Sequence, residues 1–170
     1  ISSVNLAKNI GDNIGYIHLT GFTTGTADQF KTELKRLKQS GIKGLIIDLR
    51  SNPGGILSEA VDIVGCFVDK GTKVVYTKSK VKEWDETFST TKDPVDLDIP
   101  IVVMVNGESA SAAEIVSGAL QDLDRAVILG ERTYGKGLVQ TSRSLPFGGS
   151  LKLTISKYHI PSGRCIQAID

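Results

Sequence analysis

The sequence is poor in the side chains that most often do metal, redox and imidazole chemistry. Its 170 residues include two histidines, two cysteines, one methionine and one tryptophan. Cys66 and Cys165 make neither a disulfide framework nor a metal cluster, and no His/Cys/carboxylate spacing suggests zinc. Cys66, within Val64-Gly65-Cys66-Phe67-Val68, has the context of a buried small hydrophobe. His18 lies inside a strand-like run and His159 lies near the end. A Ser-His-Asp triad can be scattered in sequence, but a lone strand histidine is more often structural. An excess of one charge is also missing: the net charge is +1, which leaves no electrostatic footprint for nucleic acid or an anionic membrane. Apolar runs such as Ile99-Pro100-Ile101-Val102-Val103-Met104-Val105 fall well short of the roughly 20 residues a spanning helix needs. No signal peptide precedes Ile1-Ser2-Ser3. The start reads as that of an excised fragment, which leaves the compartment open.

What is present is ordinary globular material, 40% hydrophobic and 23% charged, in a length that fits one domain with a real core. Ile14 to Leu19 reads as a strand. Thr26-Ala27-Asp28-Gln29 supplies a capping box with Thr26 as N-cap. Ala27, Phe30, Leu34 and Leu37 follow at helical spacing, and Gly41 closes the helix. Gly44 to Leu49 is a continuous apolar run, the pattern of a central strand covered on both faces. Leu57, Val61, Val64 and Val68 mark a second helix. Lys73 to Thr77 and Val81 to Phe88 read as β structure, a hairpin, and Ser89 to Asp98 as loop. Ile101 to Val105 is another buried strand, followed by a helix with Ala112, Ile115, Val116, Ala119 and Leu120 on its apolar face. Ala126 to Leu129 is a short strand. Leu138 to Leu145 and Ser150 to Tyr158 flank Pro146-Phe147-Gly148-Gly149, a hairpin signal. The alternation predicts an α/β fold of βαβ units with a largely parallel central sheet and added antiparallel hairpins.

In such sheets ligand sites lie at the carboxyl ends of strands. Two motifs occupy those exits: Asn52-Pro53-Gly54-Gly55, and Asn106-Gly107-Glu108-Ser109-Ala110-Ser111-Ala112-Ala113-Glu114. Ser111 heads a helix, and Ser111-Ala112-Ala113-Glu114 also fits a capping box, so Ser111, or Ser109 instead, could serve simply as a cap. As a nucleophile, Ser111 would have the free amides and dipole of a helix start beside it, favouring an oxyanion. Lys136, between Gly135 and Gly137, is either a solvated surface charge or a general base. A lysine base must be neutral when it acts, which burial or a neighbouring positive charge brings about. Gln140, four residues on, is placed to hold the amine by a hydrogen bond. The glycine pair is explained by a tight turn alone, and the same turn can aim a backbone amide at a substrate oxygen together with the amide of Ala112. Gly130-Glu131-Arg132-Thr133-Tyr134-Gly135-Lys136 has the spacing of a phosphate loop. The next residue, however, is Gly137, where that loop needs Ser or Thr, and a strand-like run follows.

Asp48-Leu49-Arg50-Ser51-Asn52-Pro53-Gly54-Gly55, the Asn106 to Glu114 string, Gly130 to Gly137, and the closing Pro161-Ser162-Gly163-Arg164 and Ile166-Gln167 together resemble the carboxyl-terminal processing peptidases (tail-specific proteases, family S41). The resemblance runs in order over nearly the whole chain. It implies a crotonase/Clp-protease-like core and a serine endopeptidase that cleaves proteins near their C-termini. It further implies Ser111 as nucleophile, Lys136 as general base, Gln140 orienting the lysine, and an oxyanion hole from the Gly54/Gly55 turn and Ala112. No metal or organic cofactor is implied. The expected partners are polypeptide substrates bound by their C-terminal region, with no nucleic acid and no stable membrane insertion, and a homo-oligomer of the full-length protein. The expected setting is periplasmic or otherwise extracytoplasmic, membrane-associated or not, in a bacterium. Members usually carry a PDZ domain before the core and a helical segment after it. Residues 1–170 then correspond to the catalytic core alone. Cys165 and His159 stand where Ser and Tyr are more usual. Two other readings share the fold: a non-catalytic peptide-binding module, and a crotonase-like acyl-CoA enzyme, for which no basic adenine-side patch is present.

Overall fold

A computed structural model describes residues 3–168. Nine strands and three α-helices form two sheets and one helical layer among them. The larger sheet holds β1 (Val4–Asn9), β2 (Ile14–Leu19), β3 (Gly44–Asp48), β6 (Ile101–Val105) and β7 (Val127–Gly130), in the order β1-β2-β3-β6-β7. Only β1 runs antiparallel. Helices α1 (Thr26–Gln39), α2 (Leu57–Val64) and α3 (Ala112–Asp122) connect these strands. The second sheet is antiparallel throughout, β5-β4-β9-β8, from β4 (Lys73–Ser79), β5 (Thr87–Ser89), β8 (Leu138–Ser144) and β9 (Ser150–His159).

The period-2 side chains Ile17, Leu19, Leu45, Ile47, Ile101, Val103 and Val105 form one core cluster with the helical Phe30, Leu34, Leu37, Ile63, Val64, Ile115, Val116 and Leu120. Burying such side chains stabilises the fold by about 1.5–3 kcal/mol each. Phe30 meets Phe67 edge-on with ring centroids 6.0 Å apart.

Three local expectations need correction. The alternate residues Tyr16, His18, Ile46, Val102 and Met104 are only half-buried, so the central strands are packed by helices on one face rather than covered on both. Thr26 is the first residue of α1, not its cap; the Thr26 hydroxyl donates to Thr23 O at 2.7 Å. The free amides of Gly25 and Ala27 instead donate to the two carboxylate oxygens of Glu59 on α2, at 2.9 and 2.7 Å. In Val81 to Phe88, only Thr87 and Phe88 pair with β4, because Lys82–Trp84 forms a 3-10 turn. The hairpin of β8 and β9 forms where the sequence predicts it.

Candidate active site

β3 and β6 are parallel neighbours, so their carboxyl ends open at the same edge of the sheet. The β3 exit is anchored by Asp48, which is buried. Its carboxylate accepts from Tyr16 Oη at 2.6 Å and from the Arg50 guanidinium at 2.7 to 3.2 Å. Burial alone would raise this carboxyl's pKa, but the hydrogen bonds from Arg50 and Tyr16 and the Arg50 charge outweigh it and hold the group down at about 2.

Beyond Asp48 the chain enters the glycine turn, which one fully buried side chain organises. Asn52 Nδ2 donates to Leu19 O at 2.9 Å, and its Oδ1 accepts the Gly54 N–H at 2.9 Å. Its backbone carbonyl accepts the Ala110 N–H, also at 2.9 Å. Asn52 therefore ties the end of β2, the turn and the loop before Ser111 together. Gly54 has φ 95°, and a Cβ there would lie 2.6 Å from Ala110 O and 2.8 Å from Ser111 Cβ. Gly55 has φ 143°, and a Cβ there would lie 2.2 Å from Phe22 O. Glycine is thus required at both positions, for backbone conformation and for close approach. Among the described residues the Gly55 N–H has no hydrogen-bond partner, and neither does the Ala112 N–H at the start of α3, whereas that of Gly54 is taken by Asn52.

The loop after β6 is pinned by its own polar side chains. Ser109 Oγ donates to Leu49 O at 2.7 Å and accepts the Asn106 N–H at 3.0 Å. Asn106 Oδ1 accepts the Ser51 N–H at 2.8 Å, and Ser51 Oγ donates to Glu108 Oε2 at 2.5 Å. Ser111 then takes φ 55° and ψ −115°, a conformation that a residue with a Cβ rarely adopts and that tends to mark functional sites. The strand-to-helix turn and the cap thus meet in one residue, since Ser111 also occupies the N-cap position of α3.

Glu114, on the first turn of α3, is buried. Its Oε2 accepts the N–H of Ser111 and that of Lys136, each at 2.8 Å, and its Oε1 accepts the Gly135 N–H at 2.6 Å. One carboxylate therefore holds the two loops that carry the candidate dyad. The Lys136 side chain itself is exposed, and no hydrogen bond joins it to Ser111 Oγ among the described residues. Gln140 is exposed too, and its Nε2 donates to Thr154 Oγ1 at 3.4 Å. A cavity of about 600 Å³ gathers Pro53, Ala110, Lys136, Leu138, Gln140 and Gln167 along its walls. A larger groove, about 850 Å³, lies on the antiparallel sheet and takes Val139, Thr141 and Arg143 from β8, with no residue of either glycine or serine loop. Neither histidine belongs to the site: His18 contacts Asn5, and His159 stacks on Tyr76. Among the described residues no cluster of His, Cys, Asp or Glu suits a metal ion.

Sequence reasoning singles out Ser111, Lys136, Gln140 and the glycine turn; in the fold Lys136 and Gln140 line the cavity, joined by Pro53 and Ala110, the chain neighbours of Gly54 and Ser111. It treated Glu114 only as a capping residue and gave Asn52 no role beyond the turn. The signals were the capping-box spacing and an asparagine two residues before a glycine, the arrangement of an Asx turn.

Comparison with known proteins gives a consistent result. The sequence profile of Peptidase family S41 matches residues 13–170. A carboxy-terminal-processing protease from Bartonella bacilliformis is 40% identical over 161 residues, covering 92% of this chain and 37% of that protein. A carboxyl-terminal-processing protease from Picosynechococcus is 39% identical over 156 residues, again covering 92% of this chain and 37% of the relative. A solved photosystem II D1 C-terminal processing protease superposes with a TM-score of 0.82 at 34% identity, covering 90% of this chain and 39% of that one. The chain thus spans well under half the length of the proteins it matches.

Proposed function

Since the chain belongs to peptidase family S41, we propose that it forms the catalytic core of a serine endopeptidase that processes proteins near their C-termini, with Ser111 as nucleophile and Lys136 as general base. The observation that carries this reading is the shared Glu114 carboxylate, which fixes the backbone of both residues from one side chain.

In the proposed reaction the neutral Lys136 amine takes the Ser111 hydroxyl proton as Oγ attacks the peptide carbonyl carbon. The carbonyl oxygen becomes an oxyanion, received by the N–H groups of Ala112 and of the glycine turn. Of the two glycines, Gly55 is the better donor, because the Gly54 N–H is held by Asn52. The tetrahedral intermediate collapses, and the Lys136 ammonium passes the proton to the leaving amine. Water, deprotonated by the same lysine, then attacks the acyl ester and frees Ser111. The exposed Lys136 marks an open site. Substrate covering the cavity excludes water from the amine and brings it to the hydroxyl, with Gln140 on the same wall to orient it.

The substrates are polypeptides engaged through their C-terminal region, a reading that the carboxyl-terminal processing in the relatives' names supports. The setting is extracytoplasmic in a bacterium, as the family resemblance implies. No helix of the described residues is long and apolar enough to cross a membrane. Homo-oligomerisation is a proposal for the full-length protein. Ser111→Ala and Lys136→Ala should each abolish peptide cleavage by the full-length enzyme without unfolding it. Retained cleavage in either variant sinks the dyad.

A further inference from the structure

Ile166-Gln167 belongs to the family-like motifs of the sequence, yet the proposed reaction gives it no part. The structure places it beneath the lysine. Residues 166–168 pack against the loop of Gly135, Lys136 and Gly137. Ala168 donates its N–H to Gly135 O at 2.9 Å, Ile166 donates to Tyr158 O at 3.2 Å, and Tyr158 donates to Gly137 O at 2.8 Å. The approach is so close that a Cβ on Gly135 would lie 2.4 Å from Ala168 Cβ, and one on Gly137 would lie 2.3 Å from Gln167 N.

Gln167 adds a contact of another kind. Its Oε1 accepts the Gly137 N–H at 3.1 Å, and its Nε2 donates to Ala168 O at 3.1 Å. This orientation of the amide is the one that satisfies both neighbours, since a flipped side chain would set a donor against a donor and an acceptor against an acceptor. The consecutive amides of Gly135, Lys136 and Gly137 thus all end on side-chain oxygens: the first two on Glu114, the third on Gln167. Gln167 also lines the cavity with Lys136 and Gln140.

We infer that Gln167 is a positioning residue for the lysine: it completes a cradle of side-chain acceptors that fixes the backbone on either side of Lys136. The inference rests on the Ser–Lys reading. Two backbone hydrogen bonds, from Ala168 to Gly135 O and from Ile166 to Tyr158 O, fasten the segment whatever side chain stands at 167. The Gln167 amide links the Gly137 N–H to Ala168 O, so its removal loosens the lysine loop while the backbone bonds keep the segment docked. A displacement of about 1 Å at a catalytic group costs on the order of 100-fold in rate.

The test compares Gln167→Ala and Gln167→Glu with wild type in the full-length enzyme on one peptide substrate. Gln167→Ala should lower kcat by about 10- to 100-fold, with KM changed less than about twofold and the thermal midpoint nearly unmoved. Gln167→Glu keeps the acceptor for Gly137, loses the donor to Ala168 O and sets a negative charge on the wall shared with Lys136. That charge favours the protonated amine, so the acid limb of the kcat/KM profile should move up by about one pH unit. Because the acceptor is kept, kcat of Gln167→Glu on the plateau above that limb should stay within a few-fold of wild type, well above that of Gln167→Ala. A residue that only braces the chain would lower the thermal midpoint of Gln167→Ala and leave its kcat in place. The inference is overturned by a Gln167→Ala variant with kcat within twofold of wild type, or by a Gln167→Glu plateau lowered tenfold or more. If Gln167→Ala fails to fold, the plateau of Gln167→Glu decides alone. Lys136→Ala, run in parallel, separates the two claims. If it is inactive while the Gln167 variants behave as wild type, only the positioning role fails; if it is active, the dyad fails first.

Discussion

The amides of Ser111 and Lys136 donate to the same oxygen atom, Oε2 of Glu114, each at 2.8 Å. A carboxylate buried this deeply is costly unless its hydrogen bonds are made. Here backbone N–H groups and the start of α3 offset that cost, since the positive end of a helix favours an anion. The same arrangement makes the geometry of the proposed dyad depend on one side chain. Glu114→Ala leaves the three amides of Ser111, Gly135 and Lys136 unpaired. It should destabilise the protein by about 2–5 kcal/mol in chemical denaturation and lower peptidase activity by more than about 100-fold. Glu114→Gln keeps the shape but turns an NH₂ group towards an N–H donor, and should fall between that variant and wild type on both measurements.

The glycine turn should be equally intolerant, for steric reasons. Gly54→Ala would bring its Cβ to 2.6 Å from Ala110 O and 2.8 Å from Ser111 Cβ. Neither neighbour can retreat without moving Ser111, the proposed nucleophile. A drop in the thermal midpoint corresponding to about 2–4 kcal/mol is expected, together with loss of peptide cleavage. Gly55→Ala meets the Phe22 carbonyl at 2.2 Å instead, and should be at least as destabilising while displacing the proposed oxyanion donor.

Asp48 gives the fold a predictable acid sensitivity. Its carboxyl titrates at about 2 in the folded protein, against roughly 3.9 for an aspartate in an unfolded chain. A depressed pKa means the stabilisation is fully present above about pH 4 and is lost as the pH falls from there towards 2. The amount is about 2–3 kcal/mol. Asp48→Asn should therefore flatten the dependence of unfolding free energy on pH between about 4 and 2, as read from denaturant titrations across that window. It should also lower the plateau at neutral pH, because Arg50 and Tyr16 lose an ionised partner.

The parts of this molecule that were legible in the sequence are those encoded by near neighbours. Ala27, Phe30, Leu34 and Leu37 announced α1, and all four are buried. Ser111 and the Gly54-Gly55 turn were legible because each is a short strand-to-helix motif. The rest depends on residues brought together by the fold. The start of α1 is capped by Glu59, more than 30 positions away in sequence, so Thr26 looked like the cap when only its own segment was considered. Glu114 reaches Gly135 across 21 positions, and Gln167 reaches Gly137 across 30. No periodicity records such contacts. The open face of the central sheet was hidden for another reason: Ile46, Val102 and Met104 are apolar yet half-buried, and hydrophobicity alone does not tell a covered face from a partly open one.

The central claim is that Ser111 is a nucleophile activated by Lys136. Its most direct test is peptide-mapping mass spectrometry of the full-length enzyme after reaction with a serine-directed phosphonate or sulfonyl fluoride. A single covalent adduct is expected on Ser111, formed in the wild type and absent or strongly slowed in Lys136→Ala. An adduct on another serine, or one on Ser111 that forms at the wild-type rate without Lys136, would contradict it.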